Sequence, residues 1–230
     1  MKKLIIFHLF LLVCLGITSC EKDNLEGPDA SFYGELIDRK TGEPIAQEII
    51  EGSKLYFIET EWNNPPVQSM SIKSDGSFRN NMMFSGKYKF ILNRGNYVPL
   101  DTMEIEIKKG SNRQIFELTP YLRVLEPEIV KNGRTIIATF RLDQVSSYRV
   151  GRISLFVHSH IDVSNGINIL RRDIMINGAV SDTDLFSISI DLDQNSSILK
   201  EGNSFYFRIG AQAEGNEAKY NYAEPVLIKI

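Results

Sequence analysis

Cysteine is nearly missing from this chain of 230 residues, and its placement is restrictive. Both cysteines, Cys14 and Cys20, fall within the first twenty residues. Everything after Cys20 therefore has no thiol for a disulfide, a thiolate metal site or a cysteine nucleophile, and must be held together by packing. Histidine is almost as scarce: beyond His8 there are only His158 and His160, so residues 30–119 contain no imidazole for acid–base work. Tryptophan occurs once, at Trp62. An excess of base is also lacking, with 26 Lys and Arg against 29 Asp and Glu and a formal net charge of −3, which argues against nucleic acid or a polybasic membrane contact. Long helical periodicity is hard to find. Gly-x-Ser-x-Gly, His-Glu-x-x-His, phosphate-loop and dinucleotide signatures are missing too.

What is present begins at the N-terminus. Lys2 and Lys3 precede an apolar run from Leu4 to Leu15, and Thr18 and Ser19 stand directly before Cys20. The run falls short of the roughly 20 apolar residues that a spanning helix needs, so residues 1–19 are expected to be a cleaved secretory signal. Ile17-Thr18-Ser19-Cys20 resembles the lipobox of bacterial lipoproteins. That resemblance implies cleavage before Cys20, a thioether-linked diacylglycerol on its sulfur and an acyl chain on its new amino terminus. Each buried methylene of such chains contributes about 0.8 kcal/mol to membrane attachment. Loss of Lys2 and Lys3, with no acid in residues 1–19, moves the formal charge from −3 to −5. Residues 20–29 are polar, contain Gly27-Pro28 and read as a stalk. Glu21 and Asp23, interrupted by Lys22, resemble the surface-export signal of outer-membrane lipoproteins in gut Gram-negative anaerobes. The location implied is the outer membrane, lipid-anchored and facing the cell exterior; a tether facing the periplasm is the alternative.

The remaining residues alternate. Met103-Glu104-Ile105-Glu106-Ile107 and Phe186-Ser187-Ile188-Ser189-Ile190 have period two, the mark of strands with one buried face. Turn signals recur at Lys40-Thr41-Gly42-Glu43-Pro44, Ser74-Asp75-Gly76, Lys109-Gly110-Ser111-Asn112, Asn132-Gly133, Asn165-Gly166 and Asn177-Gly178. The fold class expected is all-β, with two consecutive β-sandwich domains at 30–119 and 120–230, divided at Thr119-Pro120-Tyr121 where proline ends a ladder. One large sandwich is the alternative. Expected strands include 77–80 and 114–118 in the first half, and 151–160 and 223–230 in the second.

The residues of the first half carry a resemblance. Gly34-Glu35-Leu36-Ile37-Asp38, Thr41-Gly42-Glu43-Pro44-Ile45, Ser74-Asp75-Gly76-Ser77-Phe78 and Ser85-Gly86-Lys87-Tyr88-Lys89-Phe90 together look like the transthyretin-like, carboxypeptidase-regulatory type of sandwich. Transthyretin-like hydrolases end in Tyr-Arg-Gly-Ser and use catalytic histidines, both missing here, so the resemblance implies an architecture without that activity. The whole arrangement, with an immunoglobulin-like second sandwich, resembles a lipoprotein family of unknown function from polysaccharide-utilization systems. This resemblance implies polysaccharide and outer-membrane import proteins as partners, and supplies no catalytic residues and no cofactor.

Four sets of residues are candidates for function. Trp62, in Glu61-Trp62-Asn63-Asn64-Pro65-Pro66, suits sugar binding: an indole covers the apolar face of a pyranose while Asn63 and Asn64 bond its hydroxyls. Tyr97, in another turn, would lie nearby. The alternative is that Trp62 caps the sandwich edge. His158 and His160 at i and i+2 on a strand, continued by Asp162, form a row that could grip zinc; an exposed polar strand face is the plainer reading. Asp191-x-Asp193-x-Asn195 copies the start of a calcium loop, with Asp182 and Asp184 as further oxygens. The copy fails at Ser196 and Gly202, and a solvated turn is the plainer reading there. Asp101-Thr102-Met103 matches the pattern such bacteria use for O-glycosylation, at Thr102. A glycosidase needs two carboxylates about 5–9 Å apart, which spacing in sequence leaves open, but small sandwiches rarely hold a deep cleft. The expectation is a non-catalytic surface lipoprotein that binds glycan or serves an import complex, with a structural or adhesin-like module as the alternative.

Overall fold

The structure, a computed structural model, describes residues 26–215 and 217–230, and of Asn93 the backbone alone. The expected signal 1–19, Cys20 and the stalk as far as residue 25 lie outside the described residues. No helix among the described residues is long and apolar enough to cross a membrane. The elements are strands throughout, arranged as two consecutive sandwiches.

The first sandwich comprises β1 (Ala30–Asp38), β2 (Lys54–Glu59), β3 (Gln68–Ser71), β4 (Ser77–Met83), β5 (Gly86–Asn93), β6 (Met103–Ile107) and β7 (Gly110–Leu118). One sheet has the order β4-β1-β7 and the other β3-β2-β5-β6. In β1 the alternation places Ala30, Phe32, Leu36 and Asp38 on the buried face. Aromatic rings fill the space between the sheets, with Phe32 stacked on Phe90 at 4.7 Å. The Lys40–Pro44 turn forms as its residues suggest: Gly42 takes a φ of +76° and Ile37 bridges to Pro44.

The first and last strands of this half, β1 and β7, pair in parallel from Ala30↔Gly110 to Asp38↔Leu118 with no shift of register. Parallel pairing needs a long crossover, which the intervening five strands provide. It also lengthens β7 beyond the expected 114–118. Ser111 and Asn112, read in sequence as part of a turn, therefore belong to the strand. Asn112 closes the preceding turn from inside it, donating through Nδ2 to the Lys108 carbonyl at 2.6 Å.

The second sandwich comprises β8 (Leu122–Asn132), β9 (Thr135–Gln144), β10 (Val150–His158), β11 (Leu170–Gly178), β12 (Phe186–Asp191), β13 (Ser204–Ala213), β14 (Tyr220–Tyr222) and β15 (Val226–Lys229). One sheet has the order β12-β9-β8; in the other, β11-β10-β13 continues to both β14 and β15. Asn132-Gly133 makes the β8–β9 hairpin turn, closed by the Asn132↔Thr135 pair. Asn177-Gly178 is instead a bulge in β11, where Asn177 takes a φ of +50° and the register against β10 shifts. The expected terminal strand 223–230 is shorter, β15 alone, because Pro225 cannot donate to a ladder, and β14 precedes it at Tyr220–Tyr222.

No strand of one half pairs with a strand of the other among the described residues, and each half has its own core. A buried polar junction joins them. Glu48, in the β1–β2 loop, and Arg208, on β13, are 3% and 2% exposed. The Tyr222 ring lies between them. Its hydroxyl donates to Glu48 Oε2 at 2.7 Å, and the Arg208 guanidinium sits 4.4 Å from its centroid. Arg208 also donates to the carbonyls of Ala223, Gln47 and Val163, two in its own domain and one across the junction. Burial, then the adjacent Glu48 carboxylate, hold the Tyr222 phenol far above its ordinary pKa. Asn96 adds a second tie, donating to the carbonyls of Ala46 and Tyr220 while its own carbonyl accepts from Asn221 Nδ2. A third is Arg123, which pairs with Asp38 across the junction and with Asp143 at 2.7 Å. Burial raises the Asp38 carboxyl, but the hydrogen bonds from Arg123 and from the Lys40 and Thr41 backbone, with the Arg123 charge, together outweigh it and leave its pKa below the ordinary value.

Gly210 is the reason the junction's rings fit: a Cβ there would stand 2.8 Å from Phe156 and 3.0 Å from Tyr220. Truncating Arg208 leaves three buried carbonyls short of a donor. Arg208→Ala is expected to cost about 3 kcal/mol, roughly 6–12 °C in Tm for a chain of this size, and to split one calorimetric transition into two. A single transition at the wild-type temperature would show that the junction does not couple the domains.

Candidate functional site

The β2–β3 connection of the first sandwich carries Trp62 out into solvent. Asn64 takes a φ of +55° in the left-handed region, which asparagine tolerates, and Pro65-Pro66 stiffen the return to β3. Trp62 is 68% exposed, so it does not cap the sandwich edge. It forms one side of a groove of about 290 Å³ together with Asn63, Asn64 and the two prolines. The other side comes from Met82 and Phe84 at the end of β4, and the floor is the buried Phe57, Met83 and Tyr88. Met82 is 73% exposed, and Val67 and Phe84 are exposed beside it. Single exposed apolar residues are ordinary, but a cluster around one groove marks a contact surface.

Polar groups stand at the rim. Gln68 and the two asparagines present amides, and Glu59 presents a carboxylate. Glu61 lies close to Glu59: a Cβ built on Gly86 would be 3.2 Å from Glu61 Oε2 and 3.6 Å from Glu59 Oε1. Tyr88 donates its hydroxyl to the Phe84 carbonyl at 3.0 Å. Its phenol is pushed up to about 12, first by burial and then by the negative charge of Glu59, with Asp29 and Glu61 adding to it. The floor of the groove therefore lies in a negative potential, and none of the residues lining it is Lys or Arg.

Tyr97 is a correction to the expected site. It is fully buried, pairs with Pro120 at the domain boundary and does not line the Trp62 groove. Its ring covers Gly95, where a Cβ would be 2.4 Å from the ring, and burial pushes its phenol up to about 12. Arg94-Gly95-Asn96-Tyr97 reads as a solvent turn, but Tyr97 joins the core of the first sandwich and Asn96 bonds across to Tyr220 of the second. Met82, Phe84 and Glu59 escape the sequence reading because they reach the groove from separate strands. The usable signal was the apolar Met82-Met83-Phe84 run, which continues β4 past the expected end at 80.

The histidine row also differs from expectation. β10 ends at His158, so His160 lies in a bend and the two do not share a strand face. His158 Nδ1 accepts the His160 backbone N–H at 2.9 Å, and His160 Nδ1 accepts that of Asp162 at 3.3 Å. Asp162 Oδ1 accepts from Ser74 Oγ of the first domain at 2.5 Å. In the acidic loop, Asp191 Oδ1 accepts the backbone N–H groups of Asp193 and Gln194, Asp193 pairs with Arg134 and Asn195 Nδ2 donates to the Asp191 carbonyl. Asp184 accepts from the Ser181 backbone and Asp182 from the Ser181 hydroxyl. These oxygens are engaged in turns, and the described residues hold no group of three or more His, Cys, Asp or Glu placed for a metal ion. Thr102 is exposed just before β6.

Residues 30–119 match the family model described as "Protein of unknown function (DUF3823) N-terminal domain", and residues 122–227 match the "Domain of unknown function (DUF3823_C)". Among solved structures, a "putative carbohydrate binding protein" from Bacteroides uniformis ATCC 8492 is 32% identical, with a TM-score of 0.83 over 89% of this chain and 100% of that one. A DUF3823 family protein from Parabacteroides merdae ATCC 43184 is 21% identical, with a TM-score of 0.74 over 89% and 100% of the two chains. One from Bacteroides ovatus ATCC 8483 is 20% identical, with a TM-score of 0.73 over 87% and 98%. No curated protein matches the sequence.

The contrast between Trp62 and Tyr97 is testable. Trp62→Ala is expected to change stability by less than about 0.5 kcal/mol, as for other surface positions, whereas Tyr97→Ala should cost about 3–5 kcal/mol. Because Trp62 is the sole tryptophan, the emission of the wild-type protein should be that of a water-exposed indole and readily quenched by acrylamide. Blue-shifted, protected emission, or strong destabilisation by Trp62→Ala, would place the indole in a core instead.

Proposed function

The chain belongs to the DUF3823 family, and from that premise we propose that it is a non-catalytic lipoprotein of the outer-membrane surface that captures glycan for an import complex. The observation that carries the reading is the exposed Trp62 over an apolar groove with an amide rim. An indole presents a flat apolar face to the C–H side of a sugar ring, and Asn63, Asn64 and Gln68 each offer a donor and an acceptor to its hydroxyls. The relative from Bacteroides uniformis, described as carbohydrate binding and similar over its whole length, supports the same reading. Cys20 supplies the anchor, holding the mature chain at the membrane by acyl chains behind the stalk. A glycosidase would need two carboxylates flanking the bond in a cleft, whereas Glu61 and Trp62 stand in the open.

Two measurements test the two parts separately. Affinity electrophoresis or calorimetry against soluble polysaccharides should find a ligand whose affinity falls at least tenfold, about 1.4 kcal/mol, in Trp62→Ala with folding unchanged. Equal affinity in that variant would discard this groove. Cys20→Ala should abolish incorporation of a labelled fatty acid and release the protein from the membrane fraction. Undiminished labelling or retention in that variant would rule out lipidation at Cys20.

A further inference from the structure

We infer that the Trp62 groove selects uncharged glycan and rejects acidic ones, with Glu59 as the residue that sets this preference. The inference rests on the glycan reading above and adds the ligand's chemical class. Its first ground is the imbalance of charge. Glu59 lines the groove and Glu61 adjoins it over the start of β5, while no Lys or Arg is among the lining residues. The cations on the strands that build the groove are directed elsewhere. Arg79 bonds Asn81 and covers the Tyr33 ring, Lys89 pairs with Glu104 at 3.6 Å, and Lys87 borders a neighbouring pocket with Glu104 and Glu106. Lys54 stands at the far end of β2, five residues from Glu59.

The same charge reaches the groove floor: after burial, the Glu59 carboxylate is the next cause that raises the pKa of Tyr88. A uronate or sulfate group bound within a few ångströms of the two carboxylates would meet like charge inside a Debye length, with nothing basic to offset it. Neutral hydroxyls meet the opposite situation. A carboxylate accepts from two donors at once, and bonds to an ionised acceptor are stronger than those to a neutral amide. Glu59 is half-buried beside Phe57 and Tyr88, so its charge is less screened than that of a free surface carboxylate. The site thus rewards pairs of sugar hydroxyls and penalises sugar acids.

The experiment uses the purified protein against a panel of neutral polysaccharides and acidic ones such as polygalacturonate, alginate and chondroitin sulfate. Whichever neutral glycan binds is then compared with its own carboxymethylated derivative. The derivative is expected to bind at least about tenfold more weakly, with the gap narrowing as salt rises. Glu59→Gln should weaken the neutral ligand severalfold, and the Glu59→Gln, Glu61→Gln double variant should narrow the gap at low salt, both with unchanged circular dichroism. An acidic glycan that binds the wild type as tightly, and loses affinity in Trp62→Ala, would overturn the selectivity while leaving the glycan reading intact. Binding to no member of the panel, or binding indifferent to Trp62→Ala, would overturn the glycan reading and the selectivity with it.

Discussion

The two sandwiches depend on one buried contact chain, Glu48 to the Tyr222 hydroxyl and the Tyr222 ring to Arg208. A carboxylate and a guanidinium removed from water are costly unless their bonding capacity is used. Here Glu48 accepts from Tyr222 and from the Gly166 backbone, and Arg208 serves three carbonyls. Each group is satisfied only while both domains are docked, because the Gln47 carbonyl and Glu48 belong to one and Tyr222 and Arg208 to the other. An apolar interface tolerates sliding. A junction of this kind does not, since a shift of an ångström or two strands buried polar groups. A chain with no cysteine after Cys20 fixes its two domains this way.

The consequence for Tyr97 explains why sequence reading failed where it did. Gly95-Asn96-Tyr97 has the composition of an exposed turn, yet Tyr97 packs into the core of the first sandwich itself. Docking of the second domain then ties Asn96 to Tyr220 and Asn221, and both events are tertiary, invisible to local pattern. The same holds for β7: alternation marks 114–118, and the residues from Gly110 onward become a strand because β1 lies parallel beside them. The period-two strands with turn residues at both ends were legible because burial of one face and the turn chemistry are both written locally. Trp62 was legible as a lone aromatic among amides and prolines. Its partners Met82 and Phe84 were not, because the Ala30↔Met83 pairing that brings β4 into place links residues far apart in sequence.

β2 connects the two ends of the first sandwich. It follows directly on Ser53, whose hydroxyl bonds Gln47 in the junction, and ends at Glu59 on the groove. Six extended residues make that separation about 20 Å. The groove is therefore built on a single domain, with its walls taken from both sheets and its position indifferent to how the second domain is docked. Loss of the junction should affect stability first, and the groove only through the stability of the first sandwich.

The point at which the stalk joins the first sandwich adds a constraint. Asp29 accepts from the Ser85 backbone N–H and hydroxyl at 2.7 and 2.9 Å, and Ala30 pairs with Met83, so the chain enters the fold beside Phe84 and the groove. Ten residues, 20–29, reach at most about 35 Å when fully extended. On the proposed anchor at Cys20, the groove then lies at the membrane-facing end, within that distance of the lipid surface, and the junction holds the second sandwich at the opposite end. A site so placed is poor at reaching into the medium and well placed to hold a polymer against another component of the same membrane. On the proposed location and ligand, the acidic groove fits that position: bacterial surfaces are rich in anionic groups, and carboxylates beside the indole would keep those groups off a platform for neutral sugar.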